Sequence, residues 1–315
     1  MRRVPRIFHF VFGLRPQTEP FHLCFYLCLA SCMEVNRPDR VVLHYRYMPY
    51  GPWWDRIKDR LALRPIELDT YFENYAYPDP SMEPYRYAHL ADAARLRALL
   101  DEGGIYADID TLFVRPLPEA FYTRRCTMGK EKVDWNAIAA REAGGSLCNA
   151  WIMAEPGSLF IKRWLDELYR AFDGTWSAHA TFLPYRLSKQ MPEAIHVEPE
   201  RSFFPYDWSK QGIRRLFERE LTDCTGVYSI HLWSHLWWDK QRTAFTYFHH
   251  GRLTPNYVAY ARTAYSQLAR RFLPSDVETS PEGYRSERRQ QMLEDVAMRW
   301  EKAWRLARRM LQGRA

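Results

Sequence analysis

Tyr85-Arg-Tyr-Ala-His-Leu-Ala-Asp-Ala-Ala-Arg-Leu-Arg-Ala-Leu-Leu-Asp-Glu-Gly-Gly-Ile-Tyr-Ala-Asp-Ile-Asp-Thr111 reads as a helix, a turn and a strand. Ala88, Ala91, Leu96, Leu99 and Leu100 recur near helical spacing, and Pro84 suits a first helical turn, where its missing N–H costs nothing. Gly103-Gly104 ends the helix. After it, Ile105, Ala107 and Ile109 fall on one side of a period-two strand, with Tyr106, Asp108 and Asp110 on the other.

Two carboxylates on one face of a strand, about 7 Å apart, repel each other unless positive charge lies between them. A divalent cation removes the conflict: Asp oxygens suit Mg²⁺ or Mn²⁺, and an added imidazole favours Mn²⁺. The plainer alternative is that one Asp opens a turn before Thr111 while the other meets an arginine.

With 315 residues, 47% hydrophobic and 26% charged, the chain can bury a sizeable core in one large domain or two small ones. A net charge of +7 admits acidic partners, but no RNA-binding or zinc-finger signature accompanies it, so nucleic acid is not expected. The 12 Trp and 20 Tyr offer flat surfaces for sugar rings as well as core. Cys24, Cys28 and Cys32 share one face of a helix, a pattern of small core thiols rather than disulfides. The apolar runs 7–12 and 23–33 are too short for a secretory signal or a bilayer span, so the expectation is a cytoplasmic chain.

Along the chain, 4–12 is a buried first strand in which His9 suits a core histidine, 19–34 a helix and 40–47 a second strand. Strand, helix, strand begins a parallel α/β sheet. A short helix over 53–63 and a strand near 65–68 follow. Residues 112–117 are extended, and 129–145 read mainly as loop. Residues 146–154 form another buried strand, whose Asn149 needs partners from backbone or ligand, and 157–172 an amphipathic helix. His179, Tyr185, His196, Phe203, Phe204, Tyr206 and Trp208 could wall an acceptor groove or simply pack. His231 follows a strand-like lead, as a metal ligand or a polar core group.

The expected division is a domain over 1–250 and a helical extension over 251–315, with a linker near 274–284. In the extension Met292, Val296, Trp300, Trp304, Ala307 and Leu311 recur at helical spacing among many arginines. Such a basic amphipathic helix packs on its own domain or lies on an anionic membrane surface, which would place the chain peripherally at the inner face of a membrane.

His89-Leu-Ala-Asp92-Ala-Ala-Arg95, followed by Gly103-Gly104-Ile-Tyr106-Ala-Asp108-Ile-Asp110, resembles the signature of glycosyltransferases carrying a DXD sugar-binding region. That group includes the yeast initiating α-mannosyltransferase and the animal α-1,4-galactosyltransferase. The opening Val4-Pro5-Arg6-Ile7-Phe8-His9-Phe10, Cys148-Asn149-Ala150 and Ile230-His231-Leu232-Trp233 are similar to further landmarks, in the right order over 4–240. The resemblance implies a GT-A fold, an α/β architecture with a Rossmann-like mixed sheet flanked by helices. It also implies a UDP- or GDP-linked sugar donor, a glycan or lipid-linked acceptor and Mn²⁺, with Mg²⁺ as the alternative. Asp108, Asp110 and His231 would hold the metal. Asp92 would meet sugar hydroxyls, Arg95 the diphosphate, and Tyr106 would border the donor. Asn149, Phe8 and His9 would lie on the substrate side, and Asp108, Asp110 and Arg95 would carry catalysis, with retention of the anomeric configuration. An Asp92–Arg95 salt bridge across one helical turn is the structural alternative. The segment 176–182 departs from the family, many of whose members carry a Gly-Pro pair there.

Two other readings compete. Asp108-Ile-Asp110-Thr111 also fits the nucleophile motif of haloacid-dehalogenase-type phosphotransferases, with Asp108 attacking, although no later lysine and acidic pair complete that site. A non-catalytic sugar-binding protein would keep the same donor residues without turnover.

Overall fold

The computed structural model describes residues 3–240 and 246–312. The chain divides into two compact units, one of Met1–Trp208 with Asp223–Leu232, the other of Ser209–Thr222 with Trp233–Ala315. The division therefore falls earlier than residue 250 and is discontinuous: Ser209–Thr222 leaves the first unit, and Asp223–Leu232 returns to it.

The first unit is a seven-stranded mixed sheet flanked by helices, the architecture that the resemblance implies. Its strands are β1 (Ile7–Val11), β2 (Arg40–Tyr45), β3 (Ala62–Pro65), β4 (Gly104–Ala107), β6 (Cys126–Lys130), β7 (Leu147–Ala154) and β8 (His196–Glu198). They lie in the order β3-β2-β1-β4-β7-β6-β8, while β5 (Thr111–Phe113) and β9 (Ser229–His231) form a separate two-stranded ladder. The β1–β4 half is parallel, and β7 then runs antiparallel to both β4 and β6. Helix Leu23–Asn36 returns the chain from β1 to β2 as expected, with Cys24, Cys28 and Cys32 buried as free thiols. The end of β6 (Gly129 and Lys130) and the short helix Ile138–Ala143 fall in the stretch expected to be mainly loop. The charged run around Lys130 hid the strand, whose Cys126, Thr127, Met128 and Gly129 are all buried between β7 and β8.

Helix Arg86–Glu102 closes on Gly103, whose N–H bonds the Leu99 carbonyl. Gly104 then passes the β1 backbone so closely, at φ 108°, that a Cβ there would stand 2.4 Å from the Ile7 carbonyl oxygen. Only glycine starts β4 there. The helix buries Leu90, Ala93, Leu96 and Leu99 against the sheet and against helix Leu159–Ala171.

Phe8 and His9 are fully buried, which corrects their placement on the substrate side. Phe8 packs edge-on against Phe113. His9 Nε2 lies 2.9 Å from the Gly103 carbonyl and must donate to it, so its Nδ1 is left to accept from His44 Nε2 at 3.0 Å. That chain has no room for a proton on both facing nitrogens, so the two rings are not charged together. Burial lowers both pKa values, that of His44 from 6.5 to about 3, with His9 adding to the effect.

Neutral buried histidines make the fold acid-sensitive. Below the unfolded-state value of 6.5 the unfolded chain takes up protons that the folded chain refuses, so stability present above pH 6.5 is lost as pH falls toward 3. His89, lowered to about 4 mainly by burial, acts in the same direction. Urea midpoints should fall steadily from about pH 6.5 to 4, and a flat profile over that range would contradict the neutral pair.

Candidate active site

β4 ends at Ala107, where its pairing with Trp151 of β7 ends. The Asp108 N–H still donates to the Ala150 carbonyl, and the Thr111 N–H closes back on the Asp108 carbonyl, each at 2.9 Å. Asp108-Ile109-Asp110 is therefore a turn, not an alternating strand. The carboxylates converge because the chain reverses course between two different sheets.

The imidazole arrives from 121 residues away. β5 pairs antiparallel with β9 in a register that sets Thr111 opposite His231, and the Leu232 N–H donates to the Asp110 carbonyl at 2.9 Å. His231 Nε2 lies 3.1 Å from Asp110 Oδ1 and 3.6 Å from Asp108 Oδ2. One ligand atom from each of the three residues lies within 4.8 Å of the others. Burial pushes the His231 pKa down, but Asp110, Asp108 and Glu131 outweigh it and raise it above its ordinary value. The cluster attracts positive charge at one point. Two carboxylates and an imidazole are a donor set for a divalent cation.

Behind the turn lies a buried ionic layer. Arg95 and Asp92, both on helix Arg86–Glu102, are 5% and 6% exposed. Arg95 Nη2 meets Asp92 Oδ1 at 3.1 Å and Nη1 meets Asp108 Oδ1 at 3.3 Å, while Nε and Nη1 also donate to the carbonyls of Ala91 and Asn149. The salt bridge suggested by the i, i+3 spacing is present, and the arginine also reaches the turn. Asp92 Oδ1 accepts from Asn149 Nδ2 at 2.7 Å, and its Oδ2 lies 2.8 Å from His179 Nε2. Burial pushes the Asp92 carboxyl up, yet Arg95 and His179 hold it below its ordinary value. Burial likewise works against the Arg95 charge, and Tyr106, Asp108 and Asp92 reverse that.

Tyr106, expected to border the donor, is buried under Arg95 with its hydroxyl donating to Asp108 Oδ1 at 2.6 Å. It positions Asp108 from within. Asn149 keeps a half-exposed side chain while satisfying Asp92, so Asp92 supplies the partner that its sequence setting demanded. Among the residues offered as an acceptor wall, Phe203, Phe204 and Tyr206 are core, with Phe203 stacked on Trp151 at 3.8 Å. His179 is fully buried on a single π-helical turn, Ala178–Phe182, and its role as a partner of Asp92 was not legible in any spacing. Nor was the place near His231 of Glu131, a buried carboxyl hydrogen-bonded by Ser146 and raised above its ordinary value by burial.

Residues 28–132 match the family described as the glycosyltransferase sugar-binding region containing a DXD motif. The chain is 33% identical over 287 residues to glucan organizing enzyme 1 of Cryptococcus neoformans var. grubii, covering 88% of this chain and 73% of that one. It is 24% identical over 193 residues to mouse lactosylceramide 4-alpha-galactosyltransferase, covering 55% of this chain and 50% of that one. Among solved structures, the galactosyltransferase LgtC aligns over 89% of this chain and 99% of its own at 14% identity and a TM-score of 0.43. The chain belongs to the family of glycosyltransferases with a DXD sugar-binding region. The dehalogenase-type reading of Asp108 falls with that membership.

Removing Asp92 would leave a buried guanidinium with Asp108 as its remaining acid. Asp92→Ala should lower the unfolding free energy by about 3 kcal/mol, measured by urea denaturation. Wild-type stability in that variant would contradict the buried pairing.

Proposed function

We propose that this chain transfers a hexose from a UDP- or GDP-linked donor to a glycan or glycolipid acceptor, in polysaccharide or glycoconjugate synthesis, with Mn²⁺ (or Mg²⁺) held by Asp108, Asp110 and His231. The convergence of these three side chains on one point, from stretches far apart in sequence, carries the reading. The names of the two relatives support the substrate classes: one is a glucan-organizing enzyme, the other a galactosyltransferase acting on lactosylceramide. A bound cation would supply positive charge against the charge developing on a nucleoside diphosphate leaving group.

The protein's own residues do the holding. Tyr106 and Arg95 fix Asp108 Oδ1, which leaves Oδ2 toward His231. Asp92, with Asn149 and His179 on its two oxygens, keeps Arg95 charged and in place. The site is thus ordered before any ligand arrives, as electrostatic stabilisation of a transition state requires.

Retention of the anomeric configuration is part of the proposal. Glu131 is a buried carboxyl hydrogen-bonded by Ser146 rather than one open to the donor, which favours attack by the acceptor hydroxyl from the leaving group's own face.

The test is a panel of nucleotide sugars incubated with and without Mn²⁺, following release of nucleoside diphosphate. Turnover should depend on the metal, and Asp110→Asn should lower kcat/KM at least about a hundredfold. Binding of donor with no turnover under any metal would instead support a non-catalytic sugar-binding protein. With an acceptor found, NMR of the new linkage should show the donor's anomeric configuration; an inverted product would reject front-face attack.

A further inference from the structure

Helix Pro281–Gln312 is amphipathic in an unusual sense: Glu287, Glu294 and Asp295 are used within its own unit, and the apolar stripe from Met292 to Trp304 is left outside. Glu287 accepts from Thr254 and Asn256 at 2.6 and 2.7 Å. Asp295 takes Arg252 at 2.7 Å, and Glu294 lies 3.4 Å from Lys240 and 3.5 Å from Arg252. Further along, the Arg299 guanidinium stands over the Tyr247 ring. On the other side Met292, Leu293, Val296, Trp300 and Trp304 are 58, 72, 51, 73 and 71% exposed. The packing alternative for this stripe is thus not what the second unit adopts.

An exposed stripe of that size marks an interaction surface. Its chemistry selects the occupant. With Glu287, Glu294 and Asp295 turned to their partners, the charge beside the stripe is dominated by the exposed Arg288, Arg289 and Arg299. Beyond Arg299 the sequence adds Lys302, Arg305, Arg308 and Arg309 against one acid, Glu301. Two large tryptophans suit the headgroup layer of a bilayer, where an apolar ring and a polar N–H are both satisfied. No helix among the described residues is long and apolar enough to cross a membrane. We infer that this helix lies along an anionic phospholipid surface, with Trp300 and Trp304 inserted among the headgroups and the arginines against lipid phosphate. No residue of the candidate active site takes part, so membrane binding and sugar transfer stand or fall separately.

The full chain should co-sediment with vesicles of phosphatidylcholine mixed with phosphatidylserine, and much less with phosphatidylcholine alone. The double variant Trp300→Ser, Trp304→Ser changes only exposed positions and should lose at least about tenfold in vesicle affinity. Arg288→Gln and Arg289→Gln should each cost about fivefold on anionic vesicles, an effect that shrinks with added salt. Equal binding of wild type and the tryptophan variant would overturn the inference. So would a chain that ignores anionic vesicles but dimerises in light scattering through the same two tryptophans, which would make a second copy the occupant.

Discussion

The guanidinium of Arg95 is the counter-charge on which the site depends. It is buried, yet it touches Asp92 from its own helix and Asp108 from the turn that follows β4. A charge in that position is costly unless its donors are met, and here two carboxylates and two backbone carbonyls meet them. The result is a rigid arrangement: Asp92 is in turn saturated by Asn149 and His179, and Asp108 is held by Tyr106. Helix, turn and β7 are therefore joined through charge as well as through packing.

That layer also explains why acids can gather in front of it. Asp108 and Asp110 stand close to each other and to His231, an arrangement that repels itself unless positive charge is near. Arg95 supplies part of that charge from behind, and the two acids strengthen the imidazole's hold on a proton or a cation at their side. The sheet makes the meeting feasible. β4 leaves the main sheet after Ala107, and the chain then turns into the small β5–β9 ladder.

Anchoring of that ladder comes from the first helix. Ser31 Oγ accepts the Phe113 N–H at 2.9 Å, and Asn36 Oδ1 accepts the Leu117 N–H. Both are local polar groups with distant backbone partners, so the position of His231 rests on contacts from three well-separated stretches of chain. The unit that carries the C-terminal helix has a different logic: its polar contacts hold the helix's acids, and the helix's apolar side is left to solvent.

Much of this is legible in the amino-acid sequence. Helical periodicity locates helix Arg86–Glu102, Gly103-Gly104 its end, and buried apolar runs β1, β2 and β7, because each signal arises within a few residues of chain. The Asp-x-Asp pattern points to a cation. Periodicity cannot say that Asp108 and Asp110 share a turn rather than a strand face, because the Thr111 N–H closes back on the Asp108 carbonyl while β7 still runs on to Leu147. Nor can it tell that Phe8, His9 and Tyr106 are sealed in the interior, or that His179 and Glu131 belong beside the site. By itself, the sequence determined the order of elements and the chemical types available for a donor site. Only the tertiary structure decided which of them meet, since the β5–β9 register and the buried charges of Arg95 and Asp92 depend on long-range pairings that no local pattern encodes.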